Sequence, residues 1–181
     1  SLQEEMLRRL HLNKYKTKGI WKNHQNYIGC WEYFYNKGVI KESNIYVESY
    51  RLPLKNMDIK NLYVHYVIDN PLNFSSMKID FLKIRGQGTR TEVLQVLHPL
   101  TCTKLNIENV RIPMDFWDFV PKDIQELSLV SIETEDLPNL SQFTNLQTLK
   151  LINCGLTEII DLPSTLTCLN ISSNPIQNIP E

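Results

Sequence analysis

Leu146-Gln147-Thr148-Leu149-Lys150-Leu151-Ile152-Asn153-Cys154-Gly155-Leu156 decides the fold of this chain, because the same spacing returns. Twenty residues later stands Leu166-Thr167-Cys168-Leu169-Asn170-Ile171-Ser172-Ser173-Asn174-Pro175-Ile176. In both stretches Leu or Ile fills relative positions 1, 4, 6 and 11, and Cys154 or Asn174 fills position 9. The central apolar-polar-apolar alternation has the period of a strand with one buried face.

The spacing runs back toward the N-terminus with looser residues. Ile124, Leu127, Leu129 and Ile132 form one frame, and Cys102, Leu105, Ile107, Val110 and Ile112 another. Ile79, Leu82 and Ile84 continue the series, preceded by Ile59, Leu62, Val64 and Val67. A first unit holds Ile45, Val47, Tyr50 and Leu52, with Glu42 in the first apolar place. The frames start at 42, 59, 79, 102, 124, 146 and 166, in steps of 17, 20, 23, 22, 22 and 20 residues.

This spacing, L-x-x-L-x-L-x-x-[NC]-x-L, resembles the leucine-rich repeat family, whose units run roughly 20–29 residues. The step of 17 falls short of that range, which puts the first unit in question. The resemblance spans residues 42–181 and is clearest in the last two frames. Leu162-Pro163-Ser164-Thr165-Leu166 through Ile179-Pro180-Glu181 is similar to the short proline-containing units of bacterial effectors. Such units also occur in eukaryotic repeat proteins, F-box types included. Val120-Pro121-Lys122-Asp123-Ile124 is a looser match. The implied fold class is α/β: a leucine-rich repeat solenoid with parallel strands on the concave face and a helical N-terminal cap. Cys154 and Asn174 then sit at the turn after the strand, where a polar side chain satisfies free backbone groups. Val67, Gln87, Val110 and Ile132 hold that place elsewhere and predict irregular turns. Units this short predict an irregular or 3₁₀ convex side.

Residues 2–12 read as a short amphipathic helix. A second helix is expected over 20–36, where Trp21, His24, Ile28, Trp31 and Tyr35 recur at steps of three or four. Gly38 is a plausible stop. The expected organisation is a helical cap over 1–40 and about six to seven repeats over 41–181. A solenoid needs lids on its exposed ends. None follows Pro180-Glu181, so the expectation is a repeat array truncated at its C-terminus.

Lys plus Arg number 19 and Asp plus Glu 20, a formal charge of −1, which argues against a bulk electrostatic nucleic-acid binder. No apolar run reaches the ~18 residues of a spanning helix, so no membrane partner is expected. Cys30, Cys102, Cys154 and Cys168 form no C-x-x-C pair and no disulfide framework. Asn73, Asn139 and Asn170 head N-x-[ST] tripeptides, which arise often by chance. An intracellular location, cytoplasmic or nuclear, is expected, with a secreted effector as the alternative.

No catalytic constellation emerges. His11, His24, His65 and His98 form no H-E-x-x-H motif and no i, i+4 pair, so no metal site is expected. Arg85-Gly86-Gln87-Gly88-Thr89-Arg90 contains G-x-G but lacks the third glycine of a dinucleotide fingerprint. It reads as a turn. No carboxylates are paired for acid/base work. The expectation is no enzyme, no catalytic residue, no cofactor and no metal.

The family resemblance places the residues flanking the core L-x-L positions on the concave face. Carried onto these frames, the candidate partner-binding residues are Tyr46, Tyr63, His65, Tyr66, Phe81, Lys83 and Arg85. Aromatic and arginine side chains are enriched at binding hot spots. Later frames present Lys104, Asn106, Glu108, Glu126, Ser128, Thr148, Lys150, Asn170 and Ser172. The competing readings are a lid of N-terminal helices over these aromatics, or a register slip that turns them inward. Lys83, Arg85 and Arg90 could pair with an acidic partner or a phosphate. The insert Pro113 to Pro121 is expected to pack Phe116 and Phe119 inward, with Trp117 either buried or left as a contact.

The expected function is non-catalytic protein–protein recognition, as the partner- or substrate-reading part of a larger assembly such as a ubiquitin-ligase receptor. One rival is the binding domain of a larger effector enzyme, an E3 ligase with its catalytic domain beyond residue 181. The other is a nucleic-acid scaffold using Tyr63, Tyr66, Phe81, Lys83 and Arg85.

Overall fold

The structure is a computed structural model. It describes residues 58–66, 71–74, 77–88, 93–132, 137–158 and 161–177, and the backbone of Asn44–Glu48. The helices expected over 2–12 and 20–36, the cap they would form, and Arg90 lie outside the described residues.

Each frame supplies one strand at its alternating centre. These are β1 (Asn44–Glu48), β2 (Asp58–His65), β3 (Lys78–Arg85), β4 (Cys102–Glu108), β5 (Glu126–Val130), β6 (Thr148–Ile152) and β7 (Cys168–Asn170). They form one sheet in sequence order, and every neighbouring pair is parallel. Consecutive parallel neighbours require the chain to return along the opposite side after every strand. The described chain is therefore a parallel-strand β-solenoid with little helix.

The register follows the repeat frames. Leu62, Leu82, Leu105, Leu127, Leu149 and Leu169 partner one another in turn. β1 joins the series with Ile45 against Leu62, so the 17-residue step still delivers a strand. Chain reach explains why. The 12 residues between Glu48 and Asn61 extend to roughly 40 Å, whereas a five-residue strand is only roughly 16 Å long.

The apolar side of the sheet builds one core. Leu62 and Val64, Leu82 and Ile84, Leu105 and Ile107, Leu127 and Leu129, and Leu149 and Leu151 are all buried. The return segments complete the core with Leu72, Phe74, Leu94, Phe116, Trp117, Leu140 and Phe143. Two of these segments are 3₁₀ turns, Met114–Phe119 and Leu140–Gln142, matching the convex side expected of short units. In the first, Phe116 and Trp117 are buried and meet edge to face at 5.7 Å, while Phe119 is half-buried. Trp117 is 4% exposed and is a core residue, so the contact role offered for it does not hold.

The turn after each of β4 to β7 has its own rule. Asn109, Ser131, Asn153 and Ser173 adopt positive φ, at 55°, 50°, 53° and 61°. They occupy the same place in four successive frames. Asparagine tolerates this left-handed backbone better than most residues. Their amides extend the strand ladder by one bond: Asn109 N–H donates to Val130 O, Ser131 to Ile152 O and Asn153 to Ser172 O. In the last two of these frames the next position carries the polar side chain anticipated there, while Val110 and Ile132 fill it with buried apolar groups. Asn174 Oδ1 accepts from the amides of Cys154 (2.8 Å) and Leu156 (3.2 Å), and its Nδ2 donates to the carbonyls of Leu151 and Ile171. Cys154 Sγ lies 3.4 Å from the Leu129 and Ile152 carbonyl oxygens. A second turn precedes the strand, closed by amides of Ile124, Leu146 and Leu166 on the carbonyls of Pro121, Phe143 and Pro163. The loose Val120–Ile124 match and the clear Leu162–Leu166 match make the same turn.

Candidate functional site

The period of two along each strand that buries the leucines turns the intervening residues to solvent. Parallel pairing stacks them into rows. One row runs Asn61, Phe81, Lys104, Glu126, Thr148 and Cys168. A second runs Tyr63, Lys83, Asn106, Ser128, Lys150 and Asn170, headed by Tyr46 in the backbone register of β1. A third runs His65, Arg85, Glu108, Val130 and Ile152.

Five of the seven expected contact residues, Tyr63, His65, Phe81, Lys83 and Arg85, stand together at the β2–β3 end of this face. Tyr46 belongs to β1 by its backbone, and its side chain lies outside the described residues. Tyr66 is not on the face. It is 0% exposed and packs in the core with Leu62 and Val64. Its hydroxyl donates to Val93 O at 2.9 Å and accepts from Gln95 N at 3.3 Å, tying the strand to the return segment. The reason is parity. Residues 62, 64 and 66 share one side of an extended chain, and β2 keeps that alternation one residue past its end. The later frames break it there with their left-handed residue.

Tyr63 and Phe81 sit diagonally on neighbouring strands. Both are half-buried, with ring centroids 5.8 Å apart and planes at 66°, an edge-to-face pair. Such a pair holds its rings in place without removing them from the surface. His65 and Arg85 are register partners one row further along, and both are exposed.

Ion pairs bridge the next strands. Lys83 Nζ lies 2.7 Å from Glu108 Oε1, and the same oxygen accepts from Asn106 Nδ2 at 3.3 Å. Lys104 Nζ lies 2.5 Å from Glu126 Oε1. The sequence placed Lys83 and Glu108 on one face, but the diagonal pairing between them needed the register. Asn106 Oδ1 is buried in this row without a partner.

The described thiols are unpaired. Burial pushes the Cys102 thiol from its ordinary 9.0 up to about 12, and burial also raises Cys154. Both are thus held protonated, unlike a nucleophilic cysteine. Cys168 is exposed at the far end of the Phe81 row. Among the described residues, no three His, Cys, Asp or Glu side chains gather as metal ligands, and no helix is long and apolar enough to cross a membrane. No family model, curated protein or solved structure matches this chain.

Proposed function

We propose that this chain is a leucine-rich repeat module that recognises another protein through the solvent face of its sheet, without catalysis, as the reading part of a larger assembly. The Tyr63–Phe81 pair carries this reading. Two aromatic rings stay at the surface of the sheet face, although a core large enough to take Tyr66, Phe74 and Phe143 lies beneath. Rigid aromatic groups on regular strands lose little side-chain freedom on binding. The left-handed turn after each of β4 to β7, and the polar bonding of Asn174, support the repeat assignment. The unpaired thiols of Cys102, Cys154 and Cys168 are in keeping with a reducing compartment.

The test is a Tyr63→Ala/Phe81→Ala double variant. Proteins cross-linked to the wild-type chain should be lost from the variant. Its melting temperature should fall by less than about 4 °C, the effect of roughly 1 kcal/mol in a chain of this size. Retention of the same proteins by the variant would refute the reading. A far larger drop in melting temperature would show that the pair belongs to the core.

A further inference from the structure

The charges on the sheet face are unevenly satisfied. The acidic residues of its three rows whose side chains are described, Glu108 and Glu126, are each held by a lysine of the preceding strand, Lys83 and Lys104. Arg85 is the register neighbour of Glu108, yet that carboxylate turns to Lys83 and Asn106 instead. The charged side chains left unpaired among the described residues of this face are Arg85 and Lys150, both cationic. His65 is the other register neighbour of Arg85. Of these two cations, Arg85 is the one that stands beside Tyr63 and Phe81.

Its position relative to the aromatic pair sets a spacing. Tyr63 is diagonal to Arg85, at roughly 7–8 Å between backbones. Phe81 is four residues back along β3, at roughly 13 Å. An extended peptide advances about 3.3 Å per residue. Resting on the recognition reading above, we infer that the partner docks with an acidic peptide segment. One carboxylate pairs with the Arg85 guanidinium, and a large apolar side chain, roughly two to four residues away, lies against Tyr63 and Phe81. The planar guanidinium takes a carboxylate through two parallel N–H bonds, which fixes direction as well as charge. A single-stranded nucleic acid fits less well. Tyr63 and Phe81 meet at 66° and so do not form parallel platforms for successive bases, and a phosphate backbone calls for a run of free cations.

The experiment pans random short peptides displayed on phage against the full chain, then measures recovered peptides, made synthetically, by fluorescence anisotropy. Recovered sequences should carry Asp or Glu near an aromatic or large aliphatic residue. Arg85→Glu should weaken them by about tenfold or more, while Lys150→Glu, three strands away, should change them less than about twofold. Changing the peptide carboxylate to its amide should cost the same as Arg85→Ala, and the two losses should not add. Circular dichroism melts confirm that each variant folds. Recovery of neutral or basic peptides, or unchanged binding by Arg85→Glu, would overturn the acidic segment while leaving peptide recognition standing. Binding of oligouridylate with no peptide recovered, or binding of neither, would overturn both readings.

Discussion

Tyr63 and Tyr66 stand three residues apart, on opposite sides of the sheet. Tyr66→Ala should cost about 3–5 kcal/mol, the range for emptying an aromatic core site. Tyr66→Phe keeps the packing but strands the Val93 carbonyl and the Gln95 amide, at about 1–3 kcal/mol. Urea unfolding measures both, and a Tyr66→Phe variant as stable as wild type would show that the hydroxyl bonds are unimportant. Cys102 gives a pH signature. An unfolded chain releases its proton near 9.0 and the folded chain only at about 12, so between them the unfolded state binds fewer protons. Stability from this group is whole below pH 9 and declines as pH rises toward 12. Wild type should therefore lose stability relative to Cys102→Ala across that window, and parallel curves for the two would refute it. At this scale the inward leucines were legible from period alone. Tyr66 was misplaced because the family pattern was followed past the strand's end, where simple alternation already put residue 66 beside 62 and 64.

Strands and return segments differ in how much of them the sequence exposed. β2 to β7 announce themselves through L-x-L alternation, and even β1 paired at its short step. The return segments carry no such period. The isolated bridges Leu72–Val96 and Val93–Arg111, and the 3₁₀ turns, arise from filling a fixed gap between neighbours rather than from local preference. The burial of Trp117 is one result, visible only once Phe116 and the strands around it were in place. The strands themselves are unequal. Leu127 on β5 is fully buried, whereas its equivalent Leu169 on β7 is 39% exposed. Leu127→Ala should cost about 2–5 kcal/mol, and Leu169→Ala less than about 1.5. Equal losses in chemical denaturation would contradict the inequality of the two strands.

For the whole molecule, contacts pass from strand to neighbouring strand, so stability is close to a sum of nearest-neighbour terms. Hydrogen exchange should follow burial. Amides of β7, three residues long with Cys168 and Leu169 exposed, should exchange well before those of β3 to β5. Uniform exchange across the sheet would indicate a single cooperative unit instead. Of the proposed recognition surface, composition disclosed the aromatic and basic residues, but a net charge of −1 concealed that Glu108 and Glu126 on this face are already paired with lysines. The placement of Cys168 has a practical use. It is exposed in the same row as Phe81, four strands away, and at about 4.8 Å per strand the two lie roughly 19 Å apart. With Cys30 replaced, a dye attached there rides on the solvent face of the sheet without touching the aromatic pair. It would report a visitor's arrival by energy transfer, and the native thiol makes that reporter available without an added cysteine.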